Sequence, residues 1–225
     1  MKKAIFVAAT LLTVLAIASC EKEEKIKYAE DGETPLPKAV DLGLSVKWAS
    51  FNLGASNEYQ TGDYYSWGET KTKYVYTYGT YIYNAEFPEK LAKSKDVARK
   101  KLGYDWRMPT KKEFEELIQT MNDDDYEWTA ETGKDRNGDE ILKGWRIKSI
   151  RGKTKGNNIF FPAAGFMHSV PGYKDNMGFY WTSDIYQTYN YNAWTFTFGE
   201  DENTVGITHD SNRAYGLSIR PVYLD

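Results

Sequence analysis

The chain has 225 residues, of which 27% are charged, and its formal net charge is −3. No basic cluster is dense enough to hold a polyanion, so nucleic acid is excluded as a partner. Aromatic residues are abundant (18 Tyr, 7 Trp, 10 Phe), against 2 His and 1 Cys. That inventory leaves little for metal or thiol chemistry and predicts no cofactor.

Lys2 and Lys3 precede an uncharged run over residues 4–18 that ends in small side chains. At about 15 residues the run is shorter than the roughly 20 that span a bilayer as a helix. Its layout is that of a cleavable secretory signal covering residues 1–19. The tail, Ile17-Ala18-Ser19-Cys20, resembles the lipobox of bacterial lipoproteins, which implies an acylated Cys20 and a membrane reached through that lipid anchor. Acylation also accounts for a single cysteine in an exported chain, where cysteines normally come in pairs.

Glu21-Lys22-Glu23-Glu24-Lys25 and the polar residues after it read as a tether over residues 20–37, too charged to bury anything. It resembles the acidic segment behind the acylated cysteine of surface-exposed Bacteroidetes lipoproteins, which implies an outer-membrane protein displayed at the cell surface. A plain solvated spacer has the same composition. With no repeat and no Pro- or Ser-rich linker, residues 38–225 read as one domain.

Residues 40–49 alternate near their end and predict an early strand or hairpin, followed by a loop over residues 52–63. Tyr74, Tyr76 and Tyr78 recur at period two, which in a strand would line one face with rings. Two helices follow. Ser94 is the expected cap of a short one running through Val97, Ala98 and Lys101 to Gly103. Thr110 and Glu113 have capping-box spacing, and Phe114, Leu117, Ile118 and Met121 recur at i, i+3, i+4 and i+7, a core-facing stripe.

From Tyr126 the chain reads as strands. Asn137-Gly138 predicts a two-residue hairpin turn between residues 128–130 and 141–142. Strands are expected at residues 145–150, 159–161 (stopped by Pro162), 180–182, 193–198, 204–208 and 217–222. The fold class is α+β, two helices on a twisted, mostly antiparallel sheet with long loops.

Six segments occur in an order and spacing that resemble the Fibrobacter succinogenes major paralogous domain family. They are residues 40–49 (Val40-Asp41-Leu42-Gly43-Leu44), Gly62-Asp63-Tyr64-Tyr65-Ser66-Trp67-Gly68-Glu69-Thr70, Trp106-Arg107-Met108-Pro109-Thr110, Phe161-Pro162-Ala163-Ala164-Gly165, Tyr180-Trp181-Thr182-Ser183, and Gly216-Leu217-Ser218-Ile219-Arg220-Pro221-Val222. The resemblance spans nearly all of the chain after the tether. It implies a C-type-lectin-like fold and leaves function open, because relatives of that fold range from carbohydrate binders to enzymes.

The chemistries of such relatives can be tested on the residues. Formylglycine-generating oxidases use cysteine thiols, and the only thiol here, Cys20, is on the tether. Iron sulfoxide synthases use three histidines; this chain has His168 and His209, each in a Gly/Ser/Asp-rich stretch read as exposed loop, with no Gly-x-Ser-x-Gly elbow for a hydrolytic triad. Asp135-Arg136-Asn137-Gly138-Asp139-Glu140 lacks EF-hand spacing, and no Glu-Pro-Asn triplet marks a calcium-bridged sugar site. Paired carboxylates leave no local signature, so Glu69, Asp184, Asp201 and Asp210 keep a glycoside-hydrolase reading open.

The remaining signal is a binding surface. Residues 184–192 interleave aromatic rings with amides, and sugars need flat apolar faces beside amide or carboxylate partners. The candidate ligand-binding set is Asp184, Tyr186, Tyr189, Asn190, Tyr191 and Asn192, with Cys20 as the lipidation site and no catalytic or metal residue. Trp106, Trp181, Trp194 and Phe196 are assigned to the core, and Arg107 and Arg220 to buried pairs. The expected function is non-catalytic recognition of a glycan or other extracellular polymer. An envelope- or fimbria-type assembly protein is the alternative, with an envelope protein as its partner, and a carboxylate-based hydrolase comes third.

Overall fold

The computed structural model describes residues 26–83 and 88–224. The signal run and Cys20 lie outside the described residues. Residues 26–37, assigned to the tether, instead fold back as a small hairpin. Tyr28 bridges Pro35, and the Leu36 amide donates to the Lys27 carbonyl at 2.8 Å. The Asp31 carboxylate accepts from the Thr34 hydroxyl, the Thr34 amide and the Glu33 amide, which together hold its pKa down at about 2. Ala29 and Leu36 pack on the core. Folded structure is therefore present from Ile26, because two apolar side chains and one Asx turn outweigh the charged composition around them.

β1 (Ala39–Val40) and β2 (Lys47–Ala49) form the expected early hairpin. β2 pairs with β12 (Val222–Tyr223), and β12 pairs with β3 (Trp106–Arg107), so strands from both ends of the domain share one antiparallel sheet. Residues 52–83 run without a strand. Tyr74, Tyr76 and Tyr78 do not share a face: Tyr74 is 99% exposed, whereas Tyr76 is buried and donates its hydroxyl to the Tyr64 carbonyl at 2.6 Å. With no partner strand, period two has nothing to enforce it.

Helix α1 (Val97–Leu102) begins at Asp96, whose carboxylate accepts from the Arg99 amide, and ends at Gly103 with φ +100. Ser94, the expected cap, lies in the preceding 3-10 turn. Helix α2 (Lys111–Gln119) carries the capping box in full, Thr110 and Glu113 bonding reciprocally. Phe114 and Leu117 are buried, Ile118 partly so, and Met121 falls in the 3-10 turn beyond.

Two antiparallel three-stranded sheets carry the rest. β4 (Tyr126–Lys134), β5 (Glu140–Ser149) and β6 (Asn158–Pro162) form one. β9 (Gly178–Ile185), β10 (Asn192–Phe198) and β11 (Gly206–Asn212) form the other, with β10 central. The short hairpin β7 (Phe166–Met167) and β8 (Pro171–Gly172) lies between them in sequence. The β4–β5 connection is longer than two residues: Lys134 pairs with Glu140, and the Asp135 carboxylate caps the Asn137 and Asp139 amides across the turn. The class is α+β, two helices against mostly antiparallel sheets.

Two packed regions hold the elements together. Around α2, Phe114 stacks on Phe196 with centroids 4.7 Å apart, while Phe161 and Trp48 close in at 5.4 Å from Phe196 and 5.0 Å from Phe114 respectively. Around α1, Trp67 and Trp181 are fully buried, and each indole N–H meets a carbonyl, Thr182 at 2.9 Å and Tyr65 at 2.7 Å. Buried tryptophans without such acceptors would leave costly unpaired donors.

Candidate functional site

Residues 184–192 run from the end of β9 through a turn into β10, pinned at its base by Tyr186 N to Asn192 O and Asn192 N to Tyr189 O. Tyr189 and Tyr191 are 50% and 43% exposed, their ring centroids 5.7 Å apart. Tyr186 is half-buried, 5.9 Å from Tyr189, and lies flat on His209 at 4.0 Å and 7°. Gln187 and Asn190 project from the turn, and among the described residues their side-chain amides have no hydrogen-bond partner.

Not every residue assigned to the site is available to a ligand. The Asn192 amide donates to the His209 carbonyl at 2.8 Å and so ties β10 to β11. Asp184 accepts from the Lys111 amide at 2.7 Å, placing a carboxylate on the N-terminus of α2, where the helix dipole favours it. Tyr186, Tyr189 and Tyr191 are in contact along one face and Asn190 is exposed between two of them in the chain; Asp184 has one oxygen committed to the helix.

Trp194 belongs to this face and is only partly buried, a correction to its assignment to the core. The cause is a break in register. Pairing of β10 jumps from Ala193 opposite Ser211 and Ile185 to Thr195 opposite Thr208 and Trp181. Trp194 therefore sits opposite extra residues on both neighbours, and such bulges re-aim side chains. Its indole stands edge-to-face against Tyr186 at 5.2 Å and His209 at 5.4 Å, and Lys111 Nζ sits 4.3 Å from the ring centroid. His209, read as an exposed loop residue, is on β11 within this cluster. His168 stands apart, edge-on to Tyr215 at 5.0 Å.

A groove of about 500 Å³ runs between this cluster and the first turn of α2, lined by Lys111, Lys112, Glu115, Asp184, Tyr186 and Trp194. Lys111 also pairs with Glu115 at 2.9 Å. Behind the groove, Arg107 pairs with Glu113. Burial alone would raise the Glu113 carboxyl, but Arg107 and Thr110 bond its charged form and hold it below the usual range. The α2 end of the groove is thus fixed.

The four carboxylates that kept a hydrolase reading open have separate engagements. Glu69 is buried against Lys73 at 2.8 Å, Asp184 caps α2, and Asp201 accepts from the Asn203 amide of its own turn. Asp210 is exposed beside His209. Arg220 is buried, as expected, but its partners are carbonyls and Asn52, with no acidic residue among the described residues.

A family model described as a domain of unknown function (DUF8237) matches residues 114–222, just under half of the chain. The span takes in the 184–192 turn, Trp194 and His209, and leaves out α1, β1–β3 and the loops of residues 52–83. No curated protein and no solved structure matches the chain.

Proposed function

We propose that this protein is a non-catalytic recognition domain that binds a glycan or other extracellular polymer along the 184–192 face. The observation that carries the reading is the run of rings Trp194, Tyr186, Tyr189 and Tyr191, part-exposed and in mutual contact beside a polar groove, with two unpartnered amides among them. Rings offer sugars apolar stacking surfaces, and amides supply directed donors and acceptors.

The finer reading of the fold is C-type-lectin-like, within the family resemblance described above. Its support is the pairing of β2 with β12 and the convergence of the motif segments. Trp67, Trp181, Leu217 and Ile219 pack in one core region, and Tyr65 pairs with Leu217. The lipidation reading rests on Ile17-Ala18-Ser19-Cys20, and among the described residues no helix is long and apolar enough to cross a membrane. Cells fed an alkyne-tagged palmitate are expected to label the chain, and Cys20→Ala to abolish the label; label that survives the substitution would refute the anchor.

Presented to a glycan array, the full chain is expected to bind a restricted class of glycans, and Tyr189→Ala is expected to weaken that binding about tenfold, the loss of one well-placed contact of roughly 1.4 kcal/mol. No glycan bound, together with an envelope protein that co-purifies through the same tyrosines, would replace this reading with the assembly one. Release of reducing sugar that stops on Asp or Glu substitution would replace it with the hydrolase.

A further inference from the structure

A second concavity lies away from the aromatic face and shares no lining residue with its groove. We propose that this cavity, of about 680 Å³ between the 54–63 loop and the turn at Lys174 and Asp175, binds a sugar unit carrying a carboxylate. Its size falls within the roughly 300–1,000 Å³ of small-ligand sites. The proposal stands independently of the 184–192 reading.

Its walls are braced. Arg146 on β5 reaches Glu58 with both terminal nitrogens at 3.0 Å and the Tyr59 hydroxyl at 3.1 Å, fastening the loop to the sheet. The Tyr59 ring packs on buried Phe160 at 5.1 Å yet remains 61% exposed. On the opposite wall, Asp175 has φ of +61, a region that side chains other than glycine's rarely occupy, and Tyr173, two residues before it, has φ of +55. Asp175 is held there by its amide to Ala163 O at 2.9 Å and its carbonyl from Leu142 N at 3.1 Å. Glycine would satisfy that backbone with less strain. Aspartate is among the few residues other than glycine that adopt this conformation, and here it adds an acidic side chain to the cavity lining.

The charges define the ligand. Arg146 is saturated by Glu58, Glu131 and Asn158. By contrast Lys143, Lys174 and Asp175, all lining the cavity, have no side-chain hydrogen bond or ion pair among the described residues. Lysines that line a concavity without an acidic partner of their own favour an anion there: Lys174 stands at the turn, and the Lys143 side chain crosses Gly133 of β4 at the cavity's margin. Asp63 and Asp175 facing the same space oppose a dianion such as a phosphate monoester and suit hydroxyl groups, as do Gln60 and Thr61. The exposed Tyr59 face suits ring C–H bonds. A hydroxylated ring with one carboxylate, a uronic acid, meets all three demands.

Calorimetric titration of the full chain with tetragalacturonate and with neutral galactotetraose tests this. The acidic oligomer is expected to bind at least tenfold more tightly than the neutral one. The double variant Lys143→Gln/Lys174→Gln is expected to lose that advantage. Asp175→Gly is expected to weaken uronate binding while leaving the melting temperature equal or higher, which separates loss of the ligand from loss of fold. Tyr189→Ala/Tyr191→Ala, which disables the aromatic face, is expected to leave uronate binding unchanged. Equal binding of the two oligomers, no binding of tetragalacturonate at millimolar concentration, full affinity in the double lysine variant, or loss confined to the tyrosine variant would each overturn the assignment.

Discussion

Replacing Arg220 with methionine is expected to cost roughly 3–5 kcal/mol of stability, through buried acceptors left without a donor, and to lower the melting temperature by about 10 °C, measured by calorimetry. Arg220 is completely buried, and burial pulls its pKa down to about 10. That value still leaves it charged at neutral pH, and the depression, net of what the Tyr180 hydroxyl and Glu58 give back, marks a charge that burial disfavours by a few kcal/mol, on the order of 3. Methionine would relieve the penalty, so the sign of the net effect depends on what the guanidinium holds. It donates to Asn52 Oδ1 at 2.8 Å, Ala49 O at 3.0 Å and Phe160 O, and its plane lies 4.6 Å from the Phe161 centroid. Each bond to a charged donor is worth about 1.5–3 kcal/mol, and each acceptor left buried without a partner costs about 1–3 kcal/mol. Three such losses exceed one relieved charge. The side chain joins β2, the 52–63 loop and β6, so its removal is also expected to loosen the Tyr59 wall of the cavity. Stability within 1 kcal/mol of the parent would show that the carbonyls find other donors.

Local signals in this chain were legible, and signals that depend on a partner strand were not. The α2 capping box is written in adjacent residues, and Phe114 and Leu117 face the core at the expected spacing. Asp96 was missed because Ser94 is an equally good cap by type, and only the Met108 amide, arriving from twelve positions away to bond Asp96 at 3.0 Å, decides between them. The Asn137-Gly138 pair marked a turn correctly, but its length is set by Asp135 capping amides on the far side. At the candidate site the aromatic turn itself was visible because its residues are contiguous. Lys111, Trp194 and His209 were not, since they come from α2, β10 and β11 and meet through a register break on both edges of β10. Alternation puts Trp194 in phase with Phe196 and Phe198, both fully buried, so only the register break turns it outward.

Trp194→Ala is expected to weaken ligand binding at the aromatic face about thirtyfold, a loss of roughly 2 kcal/mol that marks a residue at the centre of an interface. Tyr189 and Tyr191 present more surface, but Trp194 sets the arrangement. It forms one wall of the groove, and both members of the Tyr186–His209 stack stand edge-on to it. Without it, Tyr186 and His209 lose the ring that stands edge-on to their stack, Lys111 loses the ring beneath its ammonium, and the groove opens toward Asp184. Because the indole is only partly buried, the cost to folding is expected to be modest, about 1–2 kcal/mol for the apolar area lost, so binding and stability separate in this variant. Trp194→Phe keeps an apolar ring in the same place and is expected to recover most of the affinity. Equal affinities for Trp194→Ala and the parent, measured on whichever glycan the array selects, would move the recognition surface off this face altogether.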